Sequence, residues 1–152
     1  MNGQLILLTE EEIKDIIKDS EVIDECKGTK IIKHNDKYGF IDKNNKFLTA
    51  IKYDYIWNYV EERAIVRLND KEGYIDTKGK EITEIKYDEV WCFEEERAVV
   101  QLGNQCGFIN LDGKEITKLK YDKVTDFSNE RARVKLGNKK GFIDKQGNET
   151  WD

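Results

Sequence analysis

Four glycines, Gly39, Gly73, Gly107 and Gly141, stand 34 residues apart, and the residues between them recur in register. Three complete copies, 39–72, 73–106 and 107–140, are identical to one another at twelve of the 34 positions, and 141–152 begins a partial fourth. The shared positions include Tyr53-Asp54, Tyr87-Asp88 and Tyr121-Asp122, and the Glu-Arg-Ala triplets at 62–64, 96–98 and 130–132. Upstream, 19–38 reads as a degraded half copy behind an N-terminal segment, 1–18. A unit this short cannot bury its own apolar face. It completes its core on the next copy, so the whole is one domain built as an array.

A 34-residue period also suits paired helices, but the residues speak for strands. In "RAIVRL" and "RAVVQL" the pattern has period two: Ala64, Val66 and Leu68 face one way, and Arg63, Ile65 and Arg67 the other. Turn residues punctuate these runs. Gly79, Gly113 and Gly147 stand where a tight hairpin needs a positive φ, with Asn45 at that position in the first copy. Asn69-Asp70, Gly103-Asn104 and Gly137-Asn138 supply a second two-residue turn. Each copy therefore predicts two hairpins: a strand such as "GYIDT", a turn, a strand "KEIT", a linker through Tyr-Asp, the "RAVVQL" strand and a second turn. The expected fold is an all-β repeat protein of stacked hairpins. Fewer than four full copies and unmatched ends favour an open array over a small closed, propeller-like ring.

At the N-terminus, Thr9 followed by Glu12 is a capping box, and Ile13, Ile16 and Ile17 make an apolar stripe on a helix of about residues 10–18. That helix is expected to cover the first repeat. Proline is absent, so charge must guard the sheet edges. Asp, Glu, Lys and Arg make up 38% of the chain, against a typical figure of about 25%, and the net charge is −5. That balance disfavours nucleic acid, whose phosphates need clustered cations. No basic lead precedes the short apolar run at the start, and no stretch approaches the roughly 20 apolar residues of a membrane span. Three cysteines without metal spacing fit reduced thiols in a cytoplasmic protein. No cofactor motif, metal-ligand spacing or nucleophile elbow occurs, and the single histidine, His34, belongs to a turn. The acidic run Glu94-Glu95-Glu96 reads as a solvated loop.

With "KYGFID", "KYD" and "RAIV" recurring in this order, the chain resembles the bacterial WG-containing repeat family (also called KWG repeats) over about residues 20–152. The resemblance implies an all-β repeat array without a catalytic activity belonging to the repeat itself. Two features depart from the pattern. The tryptophan before the glycine is replaced by Tyr38, Glu72, Cys106 and Lys140, and the proline before Tyr-Asp is missing.

Two surfaces are candidates for binding. In "YDYIWNY" and "YDEVWCF", inward-pointing Ile56 and Val90 would turn Trp57 and Trp91 outward in consecutive copies, beside Tyr55, Tyr59 and Phe93. They would form a shelf for a peptide or a sugar ring; the competing expectation is that both tryptophans fill the seam between copies. The second surface is a basic stripe of Arg63, Arg67, Arg97, Arg131 and Arg133, continued by Lys135 and suited to an acidic partner. Its competing expectation is ion pairing with the repeated Glu62, Glu96 and Glu130 or Asp54, Asp88 and Asp122. The expected function is a non-catalytic, protein-binding repeat module, for instance an inhibitor or immunity-type partner. The alternative is a cell-surface glycan-binding module using exposed tryptophans.

Overall fold

The computed structural model describes residues 8–152. Among these residues a single helix, α1 (Glu10–Lys18), leads into four small antiparallel sheets in chain order. The first holds β1 (Glu21–Cys26), β2 (Thr29–His34) and β3 (Lys37–Ile41); the second β4 (Tyr55–Ile56), β5 (Arg63–Leu68) and β6 (Lys71–Asp76). The third holds β7 (Glu89–Val90), β8 (Arg97–Leu102) and β9 (Gln105–Asn110). The fourth has β10 (Lys123–Val124), β11 (Arg131–Leu136), β12 (Lys139–Asp144) and an extra strand, β13 (Glu149–Trp151). Among the described residues strands pair only within a sheet, and they form no closed barrel.

The helix forms where the capping box predicts it. Thr9 accepts the Glu12 N–H, and the Glu12 carboxylate accepts the Thr9 N–H at 2.7 Å. Its stripe of Ile13, Ile16 and Ile17 is only half-buried, and none of the three joins the core clusters.

Sheet boundaries do not coincide with the sequence copies. Each sheet takes two strands from the end of one copy, and its third strand runs through the glycine that opens the next. The expected "KEIT" strand shrinks in the second and third sheets to one bridge, Ile75 to Glu81 and Ile109 to Glu115. The connecting chain lies close over the repeat glycine. A Cβ on Gly73 would stand 2.9 Å from the Thr83 hydroxyl and 3.0 Å from the Glu84 carbonyl oxygen. Glycine here lets the connecting chain approach β6 closely, with the Ile82 N–H donating to the Tyr74 carbonyl at 3.0 Å. That chain supplies instead the two-residue strands β4, β7 and β10, each after a Tyr-Asp pair.

The period-two pattern of β5 sorts side chains onto two interfaces. Ala64 and Val66 pack rearward with Ile31, Phe40 and Tyr53 of the first seam, while Ile65 packs forward with Tyr74, Tyr87 and Val100 of the second. The third seam repeats this with Val99, Phe108, Tyr121, Ala132 and Val134. Middle strands are thus buried on both faces, and the core is three layers between four sheets.

Candidate functional site

Trp57 comes directly after Ile56, the end of β4, and Trp91 directly after Val90, the end of β7. Ile56 and Val90 point into the first and second seams, so each tryptophan must turn to the opposite side. There Trp57 packs on the second core cluster and Trp91 on the third, both half-buried. One side of each indole fills a seam. The other lines a groove of about 390 Å³ that runs between the second and third sheets from Trp57 to Trp91.

The floor of this groove is charged. Glu72, standing at the position where the resemblance leads one to expect tryptophan, is 3% exposed. Its carboxylate accepts two bonds from the Arg67 guanidinium, at 2.6 and 3.2 Å, and one from the Val90 N–H at 2.8 Å. Arg67 in turn lies 5.3 Å from the Trp57 ring centre, and Tyr55 meets Trp57 edge-on at 4.6 Å. Tyr55 itself is 45% exposed. At the far end the Trp91 indole N–H donates to Glu89 at 3.3 Å. Cys92 also lines the groove; burial, reinforced by Glu94 and Asp126, pushes its thiol up, so it stays protonated at neutral pH. The groove presents aromatic faces with a fixed ion pair between them.

Other residues singled out from the sequence lie elsewhere. Phe93 is 1% exposed within the second seam, and Tyr59 packs on Phe40 in the first. Neither belongs to a binding surface, because each ring fills the layer between sheets. The basic stripe is broken up too. Arg63 donates through Nε and Nη2 to the Leu111 carbonyl at 3.1 and 3.0 Å, and Arg97 does the same to Lys145 at 2.9 and 2.8 Å. Each reaches 48 residues along the chain to tie a middle strand to the turn of the following sheet. Arg131 and Arg133 instead lie over the Phe142 ring on the outer side of the fourth sheet.

The repeated Tyr-Asp pair is structural. Tyr53 and Tyr87 donate to Glu81 and Glu115 at 2.6 and 3.0 Å, and Tyr121 donates to Glu149. Asp54, Asp88 and Asp122 accept the N–H of Asn69, Gly103 and Gly137, closing the hairpin turn within each sheet. The acidic run is no loose loop either. Glu61-Glu62, Glu95-Glu96 and Asn129-Glu130 are two-residue turns in which both residues take a positive φ, between 47° and 65°. The Glu61 carboxylate accepts the Glu96 N–H, and Glu95 accepts those of Asn129 and Glu130, so each turn holds the next. Asn129 at the third position of this series was the one sequence signal for a turn.

A row of small antiparallel sheets joined by a recurring set of inter-sheet bonds defines a β-sheet repeat protein. The chain belongs to the WG containing repeat family, whose family model matches residues 38–71, 73–106 and 107–139. A comparison with curated proteins finds no match. Among solved structures it is similar to Kluyveromyces lactis Hsv2, with 12% identity and a TM-score of 0.46 over 88% of this chain and 50% of that one. The N-terminal domain of Nup159 shows 10% identity and a TM-score of 0.44 over 88% and 43%. The chain spans about half the length of Hsv2. No helix among the described residues is long and apolar enough to cross a membrane.

Proposed function

We propose that this protein is a non-catalytic module that binds another protein through the groove between its second and third sheets. The observation that carries the reading is the exposed Tyr55 beside Trp57, with the exposed Arg67 held in place by the buried Glu72. Aromatic and arginine side chains held rigid in a recess are what protein partners use as anchors. The ordering cost of such a site is low, since seam packing already holds the tryptophans. Arg67 lies over the Trp57 ring that a sugar would stack against, which favours protein over glycan. An acidic chain of this kind suits an inhibitor or immunity-type role against a basic partner, and its three unpaired cysteines suit a reducing compartment.

The test is affinity capture with quantitative mass spectrometry, using the wild type and a Tyr55→Ala, Glu89→Lys variant. Both substitutions alter exposed side chains, Glu89 lining the groove and Tyr55 against the Trp57 ring at its end. A partner enriched by the wild type and lost with the variant supports the reading. Equal enrichment by both proteins, or none above background, would overturn it.

A further inference from the structure

We infer that the outer face of the fourth sheet is a second docking surface, for a carboxylate-rich polypeptide segment. It is distinct from the groove and does not depend on it. Three cations stand directly opposite one another across three strands of this face: Lys123 pairs with Lys135, and Lys135 with Lys140. One register step further, Arg133 stands opposite Phe142, and Arg131 opposite Asp144. Like charges facing each other across strands destabilise a sheet. Among the described residues none of these five cations makes an ion pair. Two carboxylates share this face: Asp152, whose N–H donates to the Lys140 carbonyl at 2.9 Å, makes no ion pair among the described residues, and the Asp144 oxygens already accept from the Gln146 and Asn148 N–H groups and the Asn148 amide. The corresponding row of the second sheet, Tyr55, Arg67 and Glu72, is internally neutralised.

The same face is not shaped to receive another repeat. The forward positions that fill the seams are Ile65 and Val99, but the fourth sheet has Arg133 there. Where Trp57 and Trp91 pack forward it has Thr125, and where Glu61 and Glu95 grip the next turn it has Asn129. Burial follows: β11 alternates exposed Arg131 and Arg133 with buried Ala132 and Val134, whereas β5 and β8 are buried on both faces. Phe142 lies half-buried beneath the two guanidinium groups, at 4.0 and 4.9 Å. An unpaired cationic plate around one aromatic ring, on a chain of net charge −5, suits a short acidic segment. The chain's overall field repels long polyanions such as nucleic acid.

Binding of a labelled twelve-residue polyglutamate peptide, followed by fluorescence anisotropy at about 0.02 M and about 0.2 M salt, tests this. The wild type should bind at low salt and weaken as salt rises. An Arg133→Glu, Lys140→Glu variant should lose at least about tenfold in affinity, with Tyr55→Ala, beside the groove, unchanged. If charge reversal disturbs folding, Arg133→Gln with Lys140→Gln should show the same loss with an unaltered circular dichroism melt. The inference is overturned by no binding at low salt or by equal binding of a folded variant. Tighter binding of an oligonucleotide of equal length, or of phosphatidylserine vesicles, overturns it as well.

Discussion

Asp54 and Asp88 show how one side chain closes a turn and answers to pH. Each carboxylate receives a lysine, Lys37 or Lys71, and a turn N–H, and these bonds in that order hold it below its ordinary value of 3.8. A depressed folded value means that the contribution is complete above the unfolded pKa and is lost as pH falls through the folded one. Melting temperature should therefore show no change from these groups between neutrality and about pH 5, and decline below about pH 4. In an Asp54→Asn, Asp88→Asn variant the acid decline should be smaller; an identical decline would remove these carboxylates from the account. The phenols of Tyr53, Tyr87 and Tyr121 move the other way: burial first, and then their glutamate acceptors, hold them protonated throughout. Arg97 offers a test free of titration. Replacing it with alanine removes both bonds to the Lys145 carbonyl and should cost about 1–2 kcal/mol in urea unfolding, whereas loss of a solvated arginine would cost almost nothing.

At the level of elements, the two-residue Glu-Glu turns combine strain with adhesion. A non-glycine residue in the left-handed region costs about 1–2 kcal/mol, so Glu130→Gly, at φ 65°, should raise stability by up to about 1 kcal/mol after the greater freedom of the unfolded chain is deducted. Glu95→Ala should do the reverse, because it strips the acceptor from the Asn129 and Glu130 N–H groups. Thermal melts of the two variants that move in the same direction would refute this pairing of roles. The strands themselves were legible in the sequence wherever period two and a turn glycine coincided, as at Ala64, Val66 and Gly79. The connecting strands were not, since two residues such as Tyr55-Ile56 carry no periodicity to read. For the groove, Trp57 and Trp91 and their direction relative to Ile56 and Val90 were legible. The part played by Glu72 was not, because a carboxylate before a repeat glycine reveals nothing of the arginine five residues earlier that folds back onto it. Arg63 and Arg97 misled for the same reason: their acceptors are carbonyls 48 residues away, and a carbonyl leaves no mark in a sequence.

On the scale of the whole molecule, stability passes from sheet to sheet through three seams, and each seam can be weakened separately. Trp91→Ala removes a large ring from the third seam and should cost about 2–4 kcal/mol. Its effect should be local. Amide exchange should accelerate in β11 and β12 far more than in β5 and β6, and uniform acceleration would show one undivided cooperative unit instead. The offset between sheets and sequence copies reaches further. Because every sheet is stitched from two consecutive copies, no cut at the 34-residue spacing creates a loose edge. Excising 73–106 would splice Glu72 onto Gly107, the same junction in the same phase, and a protein one sheet shorter should still fold. A gene that encodes such a chain can lengthen or shorten its product by slippage between copies, without any intermediate that fails to close.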